Sequence, residues 1–330
     1  MTSTDVENQI ADIPLEQIDV SQPELFQNDT VGLYFNRLRQ ESPVHYCPNS
    51  RFGPYWSVTR FNDIMSVDKN HHDFSSQKAG IQIIDFKAGT ERVNFINMDP
   101  PIHDERRKVV TPMVAPPNLA NLQDTIPQRV INILESLPRN ETFDWVDLVS
   151  IELTTQMLAT LFDFPFEERR KLTWWSDVAS MDLTSDGPIN SEQQRLAELK
   201  DCLDTFTGLL QERARKPVKN DLISMMAHSE MINMDAQEFM GTLILLIIGG
   251  NDTTRNSISG GLLALNQYPD EMRKLRSNPA LVPHLIPEII RWQTPLTSMR
   301  RTTTRAVKLG GQEIPEGEKV MMWYLSGNRD

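Results

Sequence analysis

The stretch that most limits what this chain can fold into is Leu243-Ile-Leu-Leu-Ile-Ile-Gly-Gly-Asn-Asp-Thr-Thr254. Six large apolar residues in a row need burial on every side, which a core helix or a core strand can supply. A strand running into a glycine turn would point to nucleotide binding, yet neither Gly-x-Gly-x-x-Gly nor Gly-Lys-Ser/Thr occurs. A second reading breaks a helix at Gly249-Gly250 and makes Asp252 the N-cap of the next one. A third keeps one long helix. Two adjacent glycines then cost about 1 kcal/mol each against alanine, tolerable where something flat must approach the backbone. Asp252-Thr253 puts an acid beside an alcohol at that weak point, a pair suited to delivering protons. The threonine hydroxyl can bond back to a carbonyl one turn earlier and open the helix locally.

The rest of the chain reads as mainly α with small β-sheets. Helical periodicity covers 102–114, 119–137, 145–161, 167–181, 191–215, 236–267, 269–277 and 285–293. Residues 1–20 read as a flexible arm. Residues 44–58 read as a hairpin around Pro48-Asn49-Ser50 and Gly53-Pro54. Residues 61–70 read as a helix capped by Asn62, and 75–97, with Gly80 and Gly89, as a long irregular loop. Residues 299–325 turn strand-like, with Gly310-Gly311 and Pro315-Glu316-Gly317 as turns. With no repeat and no Pro/Gly/Ser-rich linker, a single domain over 1–330 is expected.

A net charge of -12 argues against a nucleic-acid partner, because phosphate contacts need a basic face. The longest apolar run, 243–248, is far short of the roughly 18 residues of a membrane span, so no membrane anchor is expected. The N-terminus lacks a signal pattern, and a cytoplasmic location follows. Cys47 and Cys202 have no zinc spacing.

Three further constellations are modest alone. Glu288-Ile-Ile-Arg291 sets an acid and a base on one helix face, a spacing common in exposed ion pairs. His103-Asp-Glu-Arg-Arg107 sets a histidine and an arginine one turn apart, where a solvated basic patch is the plain alternative. Met98-Asp99-Pro100-Pro101 precedes it, with Asp99 as a candidate cap and a proline in the first turn.

The run Gly249 to Thr254 resembles the oxygen-activation motif in the long central helix of cytochromes P-450, and the other constellations follow in that family's order. The resemblance implies the family's triangular fold, incomplete at the C-terminus. It implies catalytic roles for Asp252 and Thr253 in passing protons to dioxygen, beside haem at Gly249 and Gly250. His103, Arg107 and Arg301 would clamp the haem propionates, Arg301 aligning better than Arg300. Glu288 and Arg291 would be structural, although Pro287 departs from the pattern and would delay or bend that helix. Leu245, Ile248, Leu296, Thr297 and Met299 would face the substrate. Arg305-Ala306 stand where many relatives carry acids.

The family's axial cysteine lies beyond an Asn-Arg-Asp such as that at 328–330, in a loop not found here. The resemblance therefore implies no metal ligand in this chain, and a chain that by itself is inactive and holds haem poorly. The runs 95–103 and 291–296 resemble the bacterial alkane and fatty-acid ω-hydroxylases, with actinobacterial steroid side-chain hydroxylases as the nearest rival. Haem b, dioxygen, a hydrophobic substrate, a ferredoxin and an NADH-dependent ferredoxin reductase are what this implies. The alternative of another class is a haem-free helical binding or scaffold protein derived from the family.

Overall fold

A computed structural model describes residues 10–86, 93–116, 120–181, 183, 187–229 and 234–330. Gly89 and residues 1–9 of the expected arm lie outside them. The helices in chain order are α1 (Pro23–Gln27), α2 (Val31–Glu41), α3 (Phe61–Asp68), α4 (Ile102–Val110) and α5 (Thr125–Ser136). Then come α6 (Glu152–Phe162), α7 (Arg170–Ser180), α8 (Glu192–Ala214), α9 (Leu222–Ala227) and α10 (Ala236–Gln267). α11 (Pro269–Ser277), α12 (Val282–Gln293) and α13 (Tyr324–Gly327) follow among the described residues. The strands are β1 (Val44–Cys47), β2 (Tyr55–Val58), β3 (Phe74–Ser75), β4 (Met299–Thr303), β5 (Val307–Leu309), β6 (Gln312–Ile314) and β7 (Lys319–Met322). The fold is mainly helical with small sheets, as the periodicity indicates.

The chain forms two compact units, one of residues Met1–Glu91, Ile96–His103 and Leu296–Asp330, the other of Arg92–Phe95 and Asp104–Pro295. The first holds both sheets, one with strand order β1-β2-β7-β4-β3 and one with β5 beside β6. The β1–β2 hairpin closes because Gly53 takes φ 76°, while Ser50 Oγ donates to its carbonyl at 2.7 Å. β2 then pairs in parallel with β7, Trp56 opposite Val320. Trp323 anchors one face of this unit among Phe35, Tyr55 and Phe26, and its indole N–H reaches Ser57 at 3.0 Å.

Two expected caps are corrected. α3 begins one residue before Asn62, so Asn62 sits in the first turn and Arg60 takes the cap position. The Phe61 N–H is instead met by the Asp330 carboxylate at 2.9 Å, a partner far away in sequence. Asp99 turns its side chain away from α4 and accepts from Ser75 Oγ and the Ser76 N–H, while its carbonyl takes the His103 N–H at 3.1 Å.

His45, on β1, is buried with Nε2 unpartnered. Burial holds its imidazole below the ordinary range. Its folded pKa lies below the unfolded value of about 6.5, so the unfolded chain binds the extra proton, and stability falls as pH drops through that window. In His45→Gln, the melting temperature is expected to fall less between pH 7 and pH 5 than in the parent. Parallel losses in the two proteins would refute this source of acid sensitivity.

The second unit packs its helices around Trp175, Phe162, Phe206, Ile223 and Met226, all within 1% of full burial. A π-turn over Val146–Ile151 leads into α6. α10 and α6 pass close enough that Gly250 lies against Leu158. The helix expected at 119–137 is shorter, Thr125–Ser136. α12 does not start late: it runs from Val282 with Pro287 inside it.

Candidate active site

α10 is one continuous helix of 32 residues, so the strand and broken-helix readings of 243–254 both fall. It starts at Asp235, whose carboxylate accepts from the N–H groups of Gln237 and Glu238 at 2.9 and 2.8 Å. It stops at Tyr268, before Pro269. Leu243 and Ile247 bury themselves in the core cluster, while Leu245 and Ile248 are only partly buried.

The two glycines do different things. A Cβ at Gly249 would meet nothing within 4 Å, whereas one at Gly250 would lie 2.7 Å from Leu158 Cδ2. Gly249 therefore keeps an open strip on the helix surface, and Gly250 lets α6 approach. The cofactor-facing role expected for both glycines thus has geometric room at Gly249 alone. The hydroxyl of Thr253, one turn on, donates to the Gly249 carbonyl at 2.9 Å. Asn256 and Ser257 bond back in the same way, to Asp252 O at 2.9 Å and Thr253 O at 2.8 Å.

Asp252 is half-buried and ion-paired with Arg255 at 2.7 Å, and the same guanidinium nitrogen reaches Asp177 of α7 at 3.1 Å. Burial raises the Asp252 pKa first of all; Arg255 opposes this, Asp177 adds to it, and the nearby Ser176 hydroxyl lowers it. Sequence reasoning missed Arg255, Asp177 and Asn251. An i,i+3 acid–base spacing was visible at 252–255, but nothing local marks Asp177, 75 positions earlier.

On α4, His103 is partly buried and Arg107 exposed, one turn apart. Arg106 is committed to Glu238 on α10 through a fork of two contacts. Glu288 and Arg291 pair as expected, at 2.6 and 2.8 Å, on an exposed face of α12. Their mutual hydrogen bond lowers the carboxyl pKa and raises that of the guanidinium.

In the first unit, β4 turns Arg300 inward and Arg301 outward, as alternation along a strand requires. Arg300 is 4% exposed; it donates to Asp85 at 2.5 Å, and its Nε is buried without a partner. Lys319 on β7 is 6% exposed and donates to the same Asp85 at 3.0 Å. Two buried cations thus share one exposed carboxylate. Arg301 is taken up by Asp68 at 2.8 Å and by the Arg300 carbonyl. Leu296 is exposed, the Thr297 carbonyl accepts from the Leu325 N–H at 3.2 Å, and Met299 packs against the sheet core.

Neither cysteine is suited to hold iron as a thiolate. Cys47 and Cys202 are both buried; desolvation pushes the Cys47 thiol up to about 11 and drives Cys202 higher still. Among the described residues no cluster of three or more His, Cys, Asp or Glu side chains could hold a metal, and no helix is long and apolar enough to cross a membrane.

Comparison with known proteins places this geometry. The cytochrome P450 family model matches residues 27–330. Linalool 8-monooxygenase of Pseudomonas putida is 33% identical over 96% of this chain and 80% of its own length. The methyl-branched lipid omega-hydroxylase of Mycobacterium tuberculosis is 27% identical over 97% of this chain and 77% of its own. Among solved structures, CYP153D17 from Sphingomonas sp. PAMC 26605 is 46% identical with a TM-score of 0.88, covering 94% of this chain and 79% of that one. The chain belongs to the cytochrome P-450 family. It is a monooxygenase by family, and haem, dioxygen, a redox partner and a hydrophobic substrate are the family's general equipment.

Two observations fit the haem that the family implies. Gly249 leaves room against the α10 backbone, and the unpartnered Nε of Arg300 is a buried donor suited to a carboxylate.

Proposed function

We propose that this protein inserts one oxygen atom of dioxygen into a terminal C–H bond of an alkane or fatty-acid-like chain. Haem b is its cofactor, a ferredoxin with its NADH-dependent reductase supplies the electrons, and the bacterial cytoplasm is its location. The observation that carries the reading is the Thr253 hydroxyl, bonded back to the Gly249 carbonyl beside an open strip of α10. The lipid omega-hydroxylase among the relatives supports the substrate class.

When bound, haem would supply the iron at which dioxygen is activated, and Arg300, His103 and Arg107 are the donors that would hold its propionates. Arg300 joins Arg301 in this role: each already meets a carboxylate, Asp85 and Asp68, and Arg300 adds a buried Nε without a partner. Thr253 holds its hydroxyl proton on Gly249 O at rest and carries lone pairs free to accept another. Asp252, made more basic by burial, takes up a proton more readily than an exposed aspartate and hands it to that hydroxyl. Leu245 and Ile248 exclude water on the α10 side; Leu296, Thr297 and Met299 supply further substrate surface. Glu288 and Arg291 have a structural role.

The test is Thr253→Ala in a haem-loaded form of the enzyme. Product formation should fall by about a hundredfold, the lower end of what a positioned proton donor contributes, while reducing equivalents go to hydrogen peroxide. Normal coupling of electron use to product would end the proton-delivery reading.

A further inference from the structure

Asp252 is gripped from two sides by residues that no motif assigns. Asn251 is fully buried, on the face of α10 that meets α6. Its Oδ1 accepts from Thr154 Oγ1 at 3.0 Å, and its Nδ2 points to Asp252 Oδ1 at 3.4 Å. The chemistry of the neighbours sets this amide orientation: an ionised carboxylate only accepts, so the amide nitrogen faces it. Arg255, one turn after Asn251, places a single Nη2 between Asp252 Oδ1 and Asp177 Oδ1, at 2.7 and 3.1 Å. Both grips fall on the same oxygen of Asp252, and Oδ2 is the oxygen that neither engages.

A fully buried amide in a core helix is costly unless both its ends are bonded, by roughly 2–7 kcal/mol for an uncompensated group. Asn251 meets that cost through Thr154 and gains nothing in packing that an apolar residue of its size would not. Its distinctive contribution is a donor aimed at Asp252. The arginine likewise serves two acids, so it cannot fully neutralise either one.

We propose that Asn251 and Arg255 are positioning residues for Asp252, the first tying its carboxylate to α6 through Thr154, the second tying it to α7 through Asp177. The proposal rests on the reading of Asp252 as the acid of the proton-delivery pair. In it, Oδ1 is fixed by the two anchors and Oδ2 is the edge that exchanges protons. A displacement of α7 that carries Asp177 with it redistributes Arg255 between the two acids and so changes the proton affinity of Asp252. Among the described residues, the charged groups that act on Asp252 are Arg255 on its own helix and Asp177 from α7, joined by the neutral Ser176 of α7; Thr154 of α6 meets Asn251.

The experiment is an infrared pH titration of the intact chain, following the carbonyl stretch of the protonated carboxyl that disappears in Asp252→Asn. Arg255→Met is expected to move its midpoint up and Asp177→Asn to move it down, opposite signs that a loss of fold would not produce. Arg255→Lys should restore the parent midpoint most of the way. Asn251→Leu should move it up, because a donor to the carboxylate is removed. Asp177 is partly exposed, so Asp177→Asn keeps the test open even where a core variant unfolds. A midpoint unmoved by both Arg255→Met and Asp177→Asn would overturn the proposal. Midpoints that move as expected while Asp252→Asn leaves electron coupling normal would sustain the positioning and remove the proton-delivery reading beneath it.

Discussion

Alanine at Gly241 is expected to destabilise the second unit, and alanine at Gly249, two turns further along the same helix, to stabilise it. The Cβ of Gly241→Ala would run into the Val93 carbonyl oxygen and lie 2.8 Å from its carbon. Those are backbone atoms and cannot rotate away. Overpacking of this kind costs about 1–3 kcal/mol or more, against a gain of about 1 kcal/mol from replacing a helical glycine. At Gly249 nothing lies within 4 Å, so the gain of about 1 kcal/mol stands alone. Denaturant unfolding of the two variants should move their midpoints in opposite directions. A Gly241→Ala protein as stable as the parent would mean that the backbone at Val93 does not lie on α10. Gly249→Ala asks a second question: a more stable chain that takes up haem less well would locate the flat group against this strip.

The second large effect is expected at Arg300. Lys319 remains to pair with Asp85 when Arg300→Leu removes the other cation, so the sheet loses little. Haem affinity should fall by about 10- to 100-fold, since a hydrogen bond to a charged group is worth about 1.5–3 kcal/mol. Arg301→Leu should lower affinity less, because the buried nitrogen without a partner belongs to Arg300. Haem titrations of the two variants side by side decide the matter. The reverse ranking would return the carboxylate-binding role to Arg301.

That pair of neighbours shows where the sequence stops being legible. In Met299-Arg-Arg-Thr-Thr the usual alternation of apolar and polar residues is absent, so nothing local tells which arginine turns inward. The strand register decides it, setting Arg300 opposite Met321 and Arg301 opposite Val320. Gly249 and Gly250 present the same difficulty on a helix: one residue of rotation, about 100°, separates the open strip from the seam with α6. The six apolar residues before them marked a buried core element, helix or strand, because a buried run needs no partner to be recognised. The Asp235 cap of α10 is made locally, whereas the local caps expected at Asn62 and Asp99 do not form. The cap that Asp330 provides for α3 does not follow from sequence, since it depends on a fold that brings the two positions together. Asp177 was hidden for the same reason, whereas Asp252 and Thr253 stood out through adjacency alone.

The β2–β7 pairing has a consequence for how the chain acquires its structure. Trp56 and Val320 lie side by side in a parallel ladder although 264 positions separate them in sequence. On a ribosome delivering residues one by one, β1 and β2 emerge early as a lone hairpin, too small to be stable by itself. The partner they need arrives only when nearly all of the described chain has been made. Closing so long a loop carries an entropic cost that comes before any strand contact repays it. The helices of the second unit, drawn from one nearly unbroken stretch, are free to consolidate meanwhile. The sheet is therefore the late-forming part of the molecule, and its waiting strands are where a growing chain is most open to chaperones or to aggregation.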